Sequence, residues 1–255
     1  MQMKNAGFTL IELLVSITVM SIIMAAMVST FVTESRTSVQ QERLVQMEAN
    51  LRAATLMVGE SIRNAGFGVP NGNLAQWITT VAGFTTFPVR ITGASPNTLD
   101  IASCTSQPVA QLTAAALGGA TALTVNPSSP FQTGNLIWIG FSQFARVTGA
   151  GSTLTIDTNP VLSGIQGLSS PFPQNTSICR VDISTFTVDT TTQILWVNRY
   201  ANGGLQMLAE DISNLQVTTI TAGRRYQLAI TGQTTNINTG ALISRTLTTD
   251  IAVVN

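Results

Sequence analysis

The run at 8–32, FTLIELLVSITVMSIIMAAMVSTFV, holds 25 residues and a single charge, Glu12. A helix rises about 1.5 Å per residue, so this run spans roughly 37 Å, more than the ~30 Å hydrocarbon core of a bilayer. Lys4 precedes it, and Glu34 and Arg36 come after it. The lone lysine favours an N-terminus on the cytoplasmic side. A secretory signal peptide would need an apolar stretch of about 7–15 residues with a small-residue cleavage site behind it. This run is longer, and MAAM at 24–27 is a poor site. A plain membrane anchor explains the length but not the acid. An ionisable side chain near the centre of a membrane helix costs on the order of 3 kcal/mol, and such residues are usually functional and paired.

GFTLIELLVSITVM resembles the class III signal of type IV pilins and of the pseudopilins of type II secretion. The family pattern is a short polar leader ending in Gly, then Phe, then Glu as the fifth mature residue, then an apolar helix. Here these are residues 1–7, Phe8 and Glu12. The resemblance implies cleavage between Gly7 and Phe8 by a prepilin peptidase and N-methylation of the new Phe8 amine. In the family, the carboxylate at the position of Glu12 is held to meet the N-terminal amine of a neighbouring subunit. A buried unpaired charge is costly and a paired one much less so. Glu12 is therefore expected to disfavour a lone helix and to set the register of assembly.

Composition narrows the chemistry open to the rest of the chain. Of 255 residues only 9% are charged, the formal net charge is zero, and Lys4, the one lysine, leaves with the leader. No basic patch supports nucleic-acid binding. There is no histidine, which excludes Ser-His-Asp and Cys-His catalysis and His-based zinc sites. The 12 acids are scattered, without an EF-hand or phosphate-loop pattern. AALGGATAL at 115–123 reads as a turn before a strand. No enzymatic activity, cofactor, metal or small-molecule ligand is expected. Cys104 and Cys179 are the two cysteines. Outside the cytoplasmic membrane they could form a disulfide, stabilising the fold by about 4 kcal/mol in the chain-entropy model. The alternative is a pair of free buried thiols.

The helical pattern continues past the membrane run. From 33 to 65 there is no Pro and one Gly, Gly59. Leu44, Met47, Leu51, Ala54, Val58, Ile62 and Ala65 recur at spacings of three and four, the mark of an amphipathic helix. Glu48–Arg52 and Glu60–Arg63 are favourable surface pairs, and Gly66 is a C-cap candidate. The stripe is expected to cover a downstream sheet, a short coiled coil being the alternative. After Gly66, Thr, Val, Ile, Gly and Asn dominate. Strands are predicted at 88–93, 97–102, 121–126, 135–140, 144–148, 152–157, 177–188, 193–199, 214–221, 225–231 and 244–253. VTGAGSTLTI at 147–156 reads as a hairpin, as does WVNRYANGGLQML at 196–208, with Asn202-Gly203 as its turn. The fold class is thus α+β: a long N-terminal helix packed on an antiparallel β head, pilin-like by the resemblance. The parts are a leader (1–7), a membrane or filament-core helix (8–32), its amphipathic continuation (33–66), a β head (67–108 and 174–255) and an inserted β subdomain (109–173). The alternative for 109–173, with Pro127, Pro130, Pro160, Pro171 and Pro173 at its edges, is a set of extended loops.

Later stretches narrow the resemblance. NLRAATLMVGESIRNAGFG at 50–68 is similar to the end of the long helix in PilW-type minor pilins, through Arg63, Ala65-Gly66 and Phe67. LQMLAEDISNLQV at 205–217 is similar to a late stretch of that family in which a short helical turn leads into a strand. SRTLTTDIAVVN resembles its terminal strand, through Arg245, Thr246, Leu247, Thr248, Thr249, Ile251 and Val253. Two departures stand out. Val254 replaces the usual Arg before the terminal Asn, and Ser29 stands where many major pilins have Pro, so no local melting of the helix is expected there. GspJ-type pseudopilins share much of this layout, and the likeness does not reach 69–175. It implies a minor pilin that primes assembly at or near a filament tip. Its partners would be other pilins, the prepilin peptidase and the inner-membrane assembly platform. It would sit in the inner membrane, N-terminus cytoplasmic and head periplasmic, before joining an extracellular filament. The other readings are a secretion pseudopilin, or a tip adhesin acting through 109–173. Exposed aromatics among Phe131, Trp138, Phe141 and Phe144 would favour the adhesin, and buried ones a core.

Overall fold

The computed structural model describes residues 9–67, 88–104, 110–126, 131–140, 142–159, 161–199 and 204–253. The leader, the Gly7–Phe8 bond, Pro127, Pro130, Phe141, Pro160, the Asn202-Gly203 turn and Val254 lie outside the described residues. Within them, α1 (Leu10–Arg63) is followed by β1 (Val89–Thr92), β2 (Thr98–Cys104), β3 (Ala110–Leu112), β4 (Ala122–Asn126), β5 (Leu136–Ile139), β6 (Gln143–Gly149) and β7 (Thr153–Asp157). Then come β8 (Ser177–Asp189), β9 (Ile194–Arg199), β10 (Leu205–Ala209), β11 (Ile212–Thr221), β12 (Arg225–Thr235) and β13 (Leu242–Ala252). The architecture is α+β and pilin-like: one long N-terminal apolar helix packed on antiparallel sheets. α1 runs unbroken through Ser29, where the absence of Pro removes the usual cause of a kink.

The chain divides into two compact units, Met1–Met47 with Thr234–Ile243, and Glu48–Gln233 with Ser244–Asn255. In the first, the tip of the β12–β13 hairpin meets α1. The Gln40 side-chain oxygen accepts the Ile237 backbone N–H at 2.8 Å. The tip is shaped by Asn236, whose side-chain oxygen accepts the N–H groups of Asn238 and Thr239 at 2.8 and 3.2 Å.

In the second unit, Leu51, Ala54, Val58, Ile62 and Ala65 form the buried stripe of α1. They share one core with Leu99 and Ile101 of β2, Phe186 of β8, Leu195 of β9, and Leu215, Leu228 and Ile230 of β11 and β12. α1 stops at Arg63, two residues before the end expected from the stripe. The Ala65 N–H reaches back only to Ile62, and Gly66 turns the chain at φ 77°, a conformation that glycine adopts at little cost. The Gly66 N–H then donates to the Ala102 carbonyl at 3.0 Å, tying the helix end to β2.

Two sheets flank this core. One runs β1-β2-β8-β9-β10 and the other β11-β12-β13, all pairings antiparallel where registered. The edge of β11 is engaged by the buried Asn97. Its N–H donates to the Leu215 carbonyl and its side-chain oxygen accepts the Val217 N–H, both at 2.7 Å.

The strands of 110–157 do something local patterning does not reveal. β3 pairs β4, β4 pairs β7, β7 pairs β6, β6 pairs β5, and both β3 and β5 pair the start of β8. The six strands close into an antiparallel barrel. Its interior is filled by Leu112, Leu123, Ile137, Ile139, Leu154, Ile156 and Ile178 among others. β8 belongs to both assemblies: it pairs β3 and β5 at 177–181, then β2 and β9 at 181–189.

Most predicted strands are present within about two residues of their bounds, though β12 runs on further, to Thr235. Two readings change, and the hairpin expected at 196–208 is present. β3 has no counterpart among the predicted strands, being only AQL. The stretch 205–217 contains no helical turn. It is β10, a tight bend with Asp211 at φ 59°, and β11. The hairpin β9–β10 forms with Met207 opposite Trp196.

Candidate functional site

Glu12 opens α1 in a reciprocal capping arrangement. Its carboxylate accepts the Thr9 backbone N–H at 3.0 Å and the Thr9 hydroxyl at 2.9 Å, while the Thr9 hydroxyl oxygen faces the Glu12 N–H at 3.4 Å. This is a capping box, which satisfies N–H groups that a helix start leaves without partners. Its Thr-x-x-Glu signature stands in the sequence at 9–12, a signal that sequence reasoning missed. Gly7 and Phe8 lie outside the described residues, so the cleavage bond and the amine have no geometry here.

Beyond Glu12 the first half of α1 is bare. Leu10, Ile11, Leu13, Leu14, Val15, Ile17, Met20 and Ile22 are all exposed, and the helix is long and apolar enough to cross a membrane. Three of its hydroxyls are satisfied from within. Ser16 donates to the Glu12 carbonyl at 2.7 Å, Thr18 to that of Val15 at 2.8 Å, and Ser21 to that of Ile17 at 2.7 Å. Such back-bonding keeps these three hydroxyls from being desolvated alone in hydrocarbon.

Cys104 and Cys179 are bonded, with Cα atoms 5.7 Å apart. Cys104 ends β2 opposite Val181, and Cys179 stands two residues before Val181 on β8, opposite Trp138 of β5. The bridge lies where β8 leaves the barrel. Around it pack Ala102, Leu136, Trp138, Phe144, Val181 and Ile183, with the Trp138 and Phe144 rings 4.5 Å apart at 54°. Phe131, Trp138 and Phe144 are all buried, so among the described residues these aromatics are core and present no ring for binding.

A cleft of about 490 Å³ opens between the end of α1 and β2, β8, β9 and β10, with Glu60, Asp182 and Arg199 on its walls. Burial raises the Asp182 pKa, and the opposing pull of Arg180, 3.5 Å away, and of Arg199 does not cancel it. Sequence reasoning missed this pair. Its signal was weak: Arg180-Val181-Asp182 places two charges on one face of a strand.

Residues 2–28 match the family described as the prokaryotic N-terminal methylation motif. No curated protein and no solved structure matches this chain. The chain therefore carries the N-terminal motif of type IV pilin-like prepilins and pseudopilins, joined to a pilin-like α+β fold. That motif implies processing by a prepilin peptidase and contact with other pilins in general. With the exposed apolar helix, it fits membrane anchoring before assembly.

Proposed function

We propose that this protein is a minor pilin of a type IV pilus, of PilW-like type, a structural subunit that primes filament assembly and lies at or near the tip. The observation that carries this reading is the run 10–32 of α1, whose large apolar residues are exposed throughout and whose only charge, Glu12, is held by Thr9 among the described residues. Such a surface needs either lipid or other helices around it. In the membrane it is surrounded by acyl chains, and in a filament by the same segment of neighbouring subunits. After cleavage at Gly7, the Phe8 amine of a neighbour supplies Glu12 with a cationic partner, and pairing sets the axial register. The role needs surfaces and no catalytic group.

The bulk of the head favours a minor over a repeating subunit, since more than 200 residues follow the apolar run. A GspJ-like pseudopilin of a type II secretion system is the second reading, favoured by the same motif and helix. Quantitative mass spectrometry of sheared surface filaments, from wild type and from a deletion of this gene, tests both. Trace abundance, with loss of most filaments on deletion, is the expected result. Persisting filaments with failed protein secretion would transfer the role to a pseudopilus. Dominant abundance would overturn the minor-subunit reading.

A further inference from the structure

The barrel ends, on the side away from the five-stranded sheet, in the turn 117–120 and in residues 158–159 and 161–168. β3 runs toward this end, since Gln111 lies opposite Ser177 at the start of β8 and the Leu112 N–H donates to the Thr176 carbonyl. The two connections are pinned to each other and to the barrel. The Gly119 N–H donates to the Leu168 carbonyl at 2.7 Å, and the Leu168 N–H to the Ala120 carbonyl at 2.9 Å. The buried Asp157 carboxylate accepts the N–H groups of Asn159 and Gln166 at 3.0 and 3.1 Å. The backbones come so close that a Cβ at Gly167 would collide with the Gly119 carbonyl oxygen. What this fixed platform displays is aliphatic: Leu117, Val161, Leu162 and Ile165 are 75, 68, 55 and 58% exposed.

The charge pattern says what such a tip can meet. The whole stretch 105–179 contains two charged residues, Arg146 and Asp157, which stand opposite each other on β6 and β7. Neither 113–121 nor 158–176 contains a charge, a Trp or a Tyr, and Phe172 is turned inward. Protein contacts concentrate their energy in Trp, Tyr and Arg, and anionic headgroups are held by Lys and Arg. None of these is present. We propose that this end of the barrel docks on an uncharged lipid bilayer, with Leu117, Val161, Leu162 and Ile165 entering the acyl boundary. The proposal deepens the reading of a filament subunit whose head faces outward, and rests on it for access to a foreign membrane. Affinity comes from buried aliphatic area, so it is independent of ionic strength.

The full chain, anchored through α1 in phosphatidylcholine donor vesicles, is offered labelled protein-free phosphatidylcholine acceptor vesicles. Wild type is expected to capture acceptors equally at about 0.05 and about 0.5 M NaCl. The combined substitution L117S, V161S, L162S and I165S is expected to lower capture by about tenfold or more, with the thermal midpoint unchanged, because these side chains lie in solvent. Leu162→Trp is expected to show a blue-shifted emission only when acceptors are added. Equal capture by the fourfold variant, capture that falls with salt, or no spectral shift would overturn the proposal. Wild-type self-association that the fourfold variant loses, without vesicle capture, would overturn it in favour of a protein contact. Filament number in cells carrying the fourfold variant is expected to match wild type, which keeps failed docking distinct from failed priming.

Discussion

Glu12 and Thr9 show how one carboxylate can serve two states. Within a single chain the acid is held by the N–H and hydroxyl of Thr9, which lowers the cost of keeping it at the membrane face before a partner is present. If pairing at Glu12 sets register as proposed, Glu12→Ala is expected to leave peptidase cleavage intact while reducing incorporation into sheared filaments at least about tenfold. An immunoblot of processed and filament-bound protein reads both steps. Asp182 carries the pH dependence. Its carboxyl is raised by burial against the pull of Arg180. Stability from such a group is fully present below its unfolded-state pKa and is lost as pH rises through the higher folded value. Asp182→Asn should therefore gain stability relative to wild type as pH rises above the ordinary carboxylate range, read from the difference in denaturant midpoints. At this scale the sequence was uneven in what it revealed. The apolar stripe from Leu51 to Ala65 was legible because helical burial repeats every three to four residues. The Thr9–Glu12 cap was equally legible from Thr-x-x-Glu at 9–12, but the role proposed for the acid between subunits masks its role within one chain. The strain on Asp182 was not legible, because it depends on what packs over β8.

Among the elements, α1 and most of the strands follow from local pattern, and the errors have local causes. AQL at 110–112 is too short to show alternation, and β3 exists because both its neighbours hold it. LQMLA at 205–209 is rich in helix formers, yet it lies along β9 as an edge strand, where cross-strand pairing overrides propensity. Closure of the barrel was invisible for a different reason. It depends on β5 meeting β8 some 40 residues onward, with Trp138 opposite Cys179, and no local periodicity encodes such a meeting. The bridge at that junction links residues 75 apart. Replacing both cysteines by serine, Cys104→Ser with Cys179→Ser, is expected to cost about 4 kcal/mol in the chain-entropy model. Denaturant unfolding of the oxidised wild type and the double variant measures it.

For the molecule as a whole, β8 decides how separable its parts are. An insertion read from sequence at 109–173 suggests a module that could be removed cleanly. The pairing says otherwise, since removing it strips residues 177–181 of both β3 and β5 and bares the packing around Cys179 and Val181. Deletion of 109–173 is therefore expected to lower the thermal midpoint of what remains, by circular dichroism, whereas the fourfold surface variant leaves it unchanged. A shared strand also fixes how tension travels. A pull on the outer loops of the barrel enters β8 along its own length, where β2 and β9 grip opposite edges over six register pairs each. Loaded that way, the hydrogen bonds lie across the direction of force and must slip together. A load crossing the strand would open them one by one. The chain is thus built as a lap joint, firm against traction along β8 and weak against peeling, and the bridge at Cys104 and Cys179 is the rivet at its end.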